Sequence, residues 1–299
     1  MPNLNPPRSA EKEYLSGPRI PTALPWNPDI IATTGEVVRG LPHMLPTAET
    51  FADEASKRGI TGPETHVVCY DTTGLFSSPR TAFTFAAFGH ERISVLDGGL
   101  PRWQSEGFAL DSNVLQKNPQ KADASDRYPT PKVQSGWVRT FDEMIANIRS
   151  PQNQIVLDAR ARGRFDGTQP EPRNGLSSGH IPKSLSLPFN ELLESRTSED
   201  GTKYNVLKDQ VALYRTLREA VTDGEGQVCE LDFEKLRQAS SAGEPALTAS
   251  CGSGMTAAVI WLAMKTLGVQ ASVYDESWMG YASRETEGAS IAKTKSPIS

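Results

Sequence analysis

Residues 246–256 read Ala246-Leu247-Thr248-Ala249-Ser250-Cys251-Gly252-Ser253-Gly254-Met255-Thr256, and their reading decides the fold. The first five residues make a short apolar strand and the glycine-rich run is a loop. The apolar stretch from Thr256 to Leu267, stopped by Gly268, is a helix. A second strand, Ala271-Ser272-Val273-Tyr274, follows and is closed by Asp275-Glu276-Ser277-Trp278. Strand, helix and strand in so short a unit imply an α/β fold with a parallel sheet.

The same order occurs in the first half of the chain. Val67-Val68-Cys69-Tyr70 is a strand and Asp71 to Ser78 a loop. Pro79 to Phe88 is a buried helix with proline at its start and Gly89 at its end. Ile93-Ser94-Val95-Leu96 is the next strand, followed by Asp97-Gly98-Gly99-Leu100-Pro101-Arg102-Trp103. In this repeat Asp71 holds the place that Cys251 holds in the second. Two copies predict two similar domains, each a mainly parallel sheet flanked by helices, and 299 residues suffice for two cores. We assign residues 1–112 to the first domain, 113–134 to a polar, proline-bearing linker, 135–288 to the second domain and 289–299 to a tail. The second domain opens with Thr140-Phe141-Asp142-Glu143, a capping box before a helix to Arg149, and then the strand Ile155-Val156-Leu157-Asp158. The first domain has no equivalent. Its opening residues are rich in proline, so it is expected to lack its first strand and to be the weaker half.

Composition excludes several classes. Against 36 Asp+Glu there are 31 Lys+Arg, a net charge of −5 without a basic block, which gives nucleic acid or an anionic membrane no electrostatic hold. No apolar run approaches the roughly 18 residues of a membrane span. Cys69, Cys229 and Cys251 are far apart and odd in number, which suits a reducing compartment rather than a disulfide scaffold. His43, His66, His90 and His180 lack the spacing of a zinc site. The N-terminus is neither a signal peptide nor an Arg-rich presequence, so the expected address is the cytosol, or the mitochondrion if the native N-terminus lies upstream.

Cys251 alone among the cysteines stands where chemistry would want it. It ends a strand ahead of a glycine-rich loop and a helix N-terminus, whose N–H groups stabilise an anion. Gly252 and Gly254 let the backbone curl around the sulfur. Cys69, inside an apolar strand, and Cys229, in a polar insertion, read as structural.

Cys251-Gly252-Ser253-Gly254-Met255-Thr256-Ala257, the Ser178-Gly179-His180-Ile181-Pro182 turn and the tandem repeat together resemble the two-domain rhodanese sulfurtransferases. Leu41-Pro42-His43-Met44-Leu45-Pro46, Phe76-Ser77-Ser78-Pro79-Arg80 and Leu96-Asp97-Gly98-Gly99-Leu100 match as well, so the likeness covers nearly the whole chain. The Cys-Gly-Ser-Gly form of the loop is similar to that of the 3-mercaptopyruvate sulfurtransferases. The resemblance implies ping-pong sulfur transfer. Cys251 takes sulfur from 3-mercaptopyruvate, less well from thiosulfate, and a thiol, cyanide or a thioredoxin-like protein removes it. It implies a Ser253-His43-Asp29 relay as proton source and Arg164 and Arg173 as binders of the substrate carboxylate. Gly252, Gly254, Met255 and Thr256 then line the substrate loop. No metal or organic cofactor is implied, and a monomer is expected. Arg160 and Arg162 read as surface residues. Arg19 stands where the family has histidine, and Lys183 where glycine usually follows the His-Ile-Pro turn.

Other classes fit less well. A cysteine phosphatase of this fold needs an arginine closing the loop, and positions 257 and 258 are both alanine. A silent binding module would not retain Cys251, and Gly252-Ser253-Gly254 is not the GxSxG elbow of a serine hydrolase. A thiosulfate-preferring rhodanese or a weakly catalytic sulfur carrier is the alternative.

Overall fold

The computed structural model describes residues 8–118, 127–152, 154–241 and 243–294. The chain divides into two units. Unit one comprises Met1–Thr34, Leu45–Val133 and Ser195–Val206; unit two comprises Gly35–Met44, Gln134–Glu194 and Leu207–Ser299. The proline-rich opening, Met1 to Pro7, lies outside the described residues, as does 119–126 of the expected linker. Three segments differ from the boundaries read in the sequence: the expected linker, up to Val133, belongs to unit one, and its Tyr128 is buried in that unit's core. Residues 35–44, with His43, belong to unit two, and 195–206 belong to unit one. The end of the chain is also more than a tail, because Ala292 and His180 exchange backbone hydrogen bonds at 2.8 and 3.0 Å.

In unit one, helices α1 (Ala10–Ser16), α2 (Pro28–Ile31) and α3 (Ala48–Lys57) precede strand β1 (Val67–Cys69). Helix α4 (Ser78–Ala87), strand β2 (Ile93–Val95) and helix α5 (Gly99–Ser105) complete the repeat. The core is aromatic. Phe51 of α3 stacks on Phe88 at 4.5 Å and meets Phe85 and Tyr128 edge-on at 4.9 and 5.4 Å. Arg19, the residue in histidine's usual place, is buried and ties its turn to the segment after α5. It bonds to Asp111 Oδ2 at 2.8 Å and to the Asn113 carbonyl at 2.7 Å.

Unit two holds strands β3 (Val138–Arg139), β4 (Ile155–Asp158) and β5 (Leu185–Ser186), and later β8 (Leu247–Ser250) and β9 (Ala271–Tyr274). Between these in sequence, β6 (Leu193–Thr197) and β7 (Lys203–Leu207), most of whose residues belong to unit one, pair with each other in a separate sheet. The five-stranded sheet runs β3-β9-β8-β4-β5, and its pairs are parallel. Helices α6 (Phe141–Arg149), α7 (Arg162–Asp166), α8 (Gln210–Glu219), α9 (Phe233–Ser241), α10 (Ala257–Thr266) and α11 (Ser277–Ala282) flank it. The capping box at Thr140 and Glu143 starts α6. Helix α10 is buried on nearly every side up to Met264, as the apolar run Ala257 to Met264 requires. Strand β8 is central and fully buried, so its end can place a side chain with little freedom. No helix among the described residues is long and apolar enough to cross a membrane.

The repeat is visible rung by rung. Val67, Val68 and Cys69 face Ile93, Ser94 and Val95; Leu247, Thr248 and Ala249 face Ala271, Ser272 and Val273. Asp71 and Cys251 therefore follow equivalent strands. The Asp71 carboxylate is wrapped by its own loop. Oδ2 accepts from the N–H groups of Phe76, Ser77 and Ser78 at 2.8–2.9 Å and from Ser78 Oγ at 2.8 Å, while Oδ1 accepts from Thr73 N–H at 2.9 Å. Burial alone would raise its pKa, but these donors hold the carboxyl below the ordinary range.

A carboxyl lowered on folding stabilises the folded state above its unfolded pKa and ceases to do so as pH falls through the folded value. Asp71→Asn should therefore cost about 2 kcal/mol or more at neutral pH, and the difference from the parent chain should close in acid. Thermal melts across pH check this.

Candidate active site

Strand β8 ends at Ser250 and the next residue, Cys251, is 1% exposed. From there the chain turns through Gly252, Ser253, Gly254 and Met255 into α10, whose cap is Thr256. Gly254 has φ +81°, a region an L side chain rarely adopts, so glycine is needed there for the curl. Among the described residues, no protein acceptor meets the N–H groups of Gly252, Ser253, Met255, Thr256 or Ala257. The matching loop of unit one bends its amides onto the Asp71 carboxylate. Here the equivalent N–H groups are left for an anion at the sulfur.

Two elements brace the loop from below. Ser277, at the head of α11, is fully buried and held at φ +52°. Its Oγ accepts from the N–H groups of Cys251 and Gly254 at 3.2 and 3.0 Å and donates to the Tyr274 carbonyl at 2.8 Å. It lies 3.9 Å from Cys251 Sγ. The next two N–H groups, of Trp278 and Met279, donate to the carbonyls of Cys251 and Gly252 at 2.9 and 3.1 Å. Sequence reasoning missed Ser277, because its role arises from β9 and β8 lying side by side.

His43 reaches the loop through the segment Gly35–Met44. That segment is held by the buried side chains of Leu41 and Met44 and by an exposed Arg39–Glu287 ion pair. A Cβ at Gly280 would collide first with the Glu276 side chain and would also stand 3.0 Å from Leu41, so glycine leaves space for both. His43 Nδ1 lies 2.9 Å from Ser253 Oγ. The structure thus brings together His43 and Ser253. Asp29 belongs to unit one, in the first turn of α2, where its N–H donates to the Asn27 side chain at 3.0 Å.

The arginines differ sharply from one another. Arg160, expected at the surface, is buried. It forks onto Asp158 with contacts of 2.6–3.1 Å, bonds Glu171 Oε1 at 2.8 Å and the Gly179 carbonyl at 2.7 Å, and lies 4.2 Å over the Trp278 ring. A fully paired guanidinium tolerates such burial, which is why a loop arginine is found inside. Arg162 is partly exposed and pairs with Asp166 at 2.8 Å. Arg164 forks onto Glu171 at 2.5 and 3.1 Å, and its Nη2 lies 3.1 Å from where a Cβ on Gly252 would stand. Glu171, which the sequence did not single out, thus holds two arginines. Arg173 is half-buried and, among the described residues, makes no hydrogen bond or ion pair. Burial first, and the neighbouring Arg164 charge second, push its guanidinium down, while the charges of Glu171 and Cys251 act the other way. Its guanidinium is thus a cation whose donors meet no protein acceptor among the described residues.

The remaining candidates are structural. Cys69 is buried and desolvation raises its thiol to about 12, so it is inert. Burial also raises Cys229. His180 stacks on Phe165 at 3.9 Å, its Nδ1 is 2.8 Å from the Phe165 carbonyl, and burial lowers its pKa. Lys183 takes φ +66°, which explains why glycine would suit that position. Among the described residues no cluster of His, Cys, Asp and Glu could hold a metal ion. The arrangement suits a sulfur nucleophile acting on a small anion, with amides for the product anion and a Ser–His pair for proton movement.

Comparison with known proteins gives a consistent picture. The rhodanese-like domain family matches residues 9–106. The chain is 34% identical to a probable 3-mercaptopyruvate sulfurtransferase of Schizosaccharomyces pombe, over 96% of this chain and 86% of that protein. It is also 34% identical to the mitochondrial thiosulfate/3-mercaptopyruvate sulfurtransferase 1 of Arabidopsis thaliana, over 93% of this chain and 68% of that protein. The crystal structure of the Tum1 protein from Saccharomyces cerevisiae superposes with a TM-score of 0.74 at 27% identity, covering 97% of this chain and 88% of that one.

Ser277→Gly tests the brace. Glycine accepts φ +52° and removes the hydroxymethyl group, and with it the Oγ that accepts from the loop. Alkylation at Cys251, followed by peptide mass mapping, should slow about three- to tenfold, the worth of one hydrogen bond. An unchanged rate would show that the loop holds its shape unaided.

Proposed function

The chain belongs to the rhodanese family of sulfurtransferases, and on that premise we propose that it moves sulfur from 3-mercaptopyruvate to a thiol acceptor through a persulfide on Cys251. The Cys251 thiolate attacks the donor's sulfur. The sulfur–sulfur bond forms as the carbon–sulfur bond breaks, and its electron pair leaves with pyruvate as the enolate. The enolate takes a proton and departs as pyruvate. An acceptor thiolate, that of a small thiol or a thioredoxin-like protein, or cyanide, then attacks the outer sulfur and releases the Cys251 thiolate. The unengaged amides of the loop suit the negative charge on sulfur at both steps.

We assign the proton donor to Ser253 and His43, whose contact at 2.9 Å supports a relay, with Asp29 as its third member. The carboxylate of the donor goes to Arg173. That Arg173, which feels the Cys251 charge, makes no hydrogen bond or ion pair among the described residues carries the choice of donor, since a planar carboxylate matches a guanidinium fork. Arg164, already neutralised by Glu171, walls the pocket beside Gly252. Gly254, Met255 and Thr256 contribute backbone to the substrate loop. We further propose that the chain acts as a monomer in a reducing compartment, the cytosol first, in keeping with its three free cysteines.

Steady-state kinetics with both sulfur donors test the reading. The expected result is a higher kcat/KM for 3-mercaptopyruvate than for thiosulfate, and loss of both activities in Cys251→Ser. Preference for thiosulfate would overturn the donor assignment. In Arg173→Ala the KM for 3-mercaptopyruvate should rise roughly ten- to hundredfold, the worth of a charge-assisted bond. An unchanged KM would place the carboxylate elsewhere.

A further inference from the structure

The carboxylate of Glu171 is committed to one guanidinium in particular. Its side chain is 3% exposed, and it stands between Pro170 and Pro172, whose rings restrict the backbone on both sides. Oε1 accepts from Arg160 Nη1 at 2.8 Å, but Arg160 already forks onto Asp158 at 2.6–3.1 Å, and those two charges cancel. The charge of Glu171 is therefore left for Arg164, which forks onto it through Nε at 3.1 Å and Nη2 at 2.5 Å. A buried carboxylate is costly unless paired, so the folded protein keeps the two together.

Arg164 is the cation whose charge would otherwise act on the nucleophile's loop. Its Nη2 lies 3.1 Å from where a Cβ on Gly252 would stand, one residue beyond Cys251. The coupling reaches Arg173 as well. After burial, the Arg164 charge is what pushes the Arg173 guanidinium down, and the charges of Glu171 and Cys251 oppose that. The four groups thus share one field. Across this frame Asp158 and Glu171 offset Arg160 and Arg164, and the charge of Arg173 is the one left over.

The two sulfur donors differ in that same quantity. 3-Mercaptopyruvate brings one carboxylate charge, whereas thiosulfate is a dianion. On the reading of Cys251 as the sulfur acceptor, we propose that Glu171 sets the choice between them. It cancels Arg164, so that the site offers a single net positive charge and suits a monocarboxylate. Without that cancellation, the Arg164 guanidinium beside Gly252 would attract the second charge of a dianion. Glu171 is thus a specificity-determining residue that acts through Arg164, and discrimination follows from the charge the site withholds as much as from the charge it presents.

A charge series on the full chain tests this. The readout is the ratio of the rate of sulfur loading from thiosulfate to that from 3-mercaptopyruvate, in single turnovers with the sulfur located by peptide mass spectrometry. Both rates come from one preparation, so a loss of folded protein cancels. Glu171→Gln keeps the shape and removes the charge; it should raise the ratio about tenfold, and added potassium chloride should shrink that gain. Arg164→Gln leaves Glu171 with Arg160 and should lower the ratio about three- to tenfold. The double variant restores the net charge and should return the ratio to within about twofold of the parent value. An unchanged or lower ratio in Glu171→Gln, or a gain that survives in the double variant, would overturn the assignment of Glu171 while sulfur on Cys251 of the parent upholds the reading beneath it. No sulfur on Cys251 from either donor would overturn that reading and the assignment with it. Should Glu171→Gln fail to fold, Arg164→Gln decides alone, and an unchanged or raised ratio there would overturn the proposal.

Discussion

A parallel strand that stops and a helix that starts a few residues later leave a ring of backbone N–H groups aimed at one point. That convergence is the constraint on which both repeats depend. The N–H groups need an anion or water, and each repeat answers differently. In unit one Asp71 brings its own carboxylate, bound by four N–H groups and two hydroxyls. In unit two the same place is occupied by Cys251, which brings a sulfur and no carboxylate. One loop is satisfied by its own carboxylate, and in the other Ser277 Oγ takes two of the N–H groups and leaves the rest without a protein acceptor among the described residues. Structure and reactivity thus separate by one residue type at equivalent positions.

The surroundings of Cys251 are built to hold that difference steady. Asp158, Arg160, Glu171 and Arg164 form a chain of alternating charge, buried except at its partly exposed Arg164 end and stacked through Arg160 on Trp278. Such pairs gain little net stability because their desolvation offsets their attraction, but they enforce geometry when every donor is met. The alternation neutralises itself, and Arg173, two residues beyond Glu171, keeps an unused fork among the described residues. Trp278 links this frame to the loop, since its N–H bonds the Cys251 carbonyl and its indole bonds the Ser177 carbonyl at 3.0 Å.

The elements were legible where local pattern suffices. The strands about Val67, Ile93, Leu247 and Ala271 and the helices after both loops follow from apolar runs bounded by glycine and proline. The helix from Phe141 follows from its capping box. Cys251 and the Ser253–His43 pair were legible by position and motif. Arg160 was not, because only folding brings Asp158, Glu171 and a tryptophan ring around it. Ser277 was not, because its partners are the N–H groups of residues far away in sequence. The membership of His43 in unit two was not, because nothing local says that residues 35–44 leave the half of the chain in which they are written.

The account turns on a sulfur atom carried covalently by Cys251. A single-turnover reaction of the protein with 3-mercaptopyruvate, without acceptor, followed by intact-mass and peptide mass spectrometry, tests this most directly. The account predicts the gain of one sulfur atom, located on Cys251, with one pyruvate released for each sulfur bound. Pyruvate release without any mass gain, or sulfur located on Cys229, would contradict it.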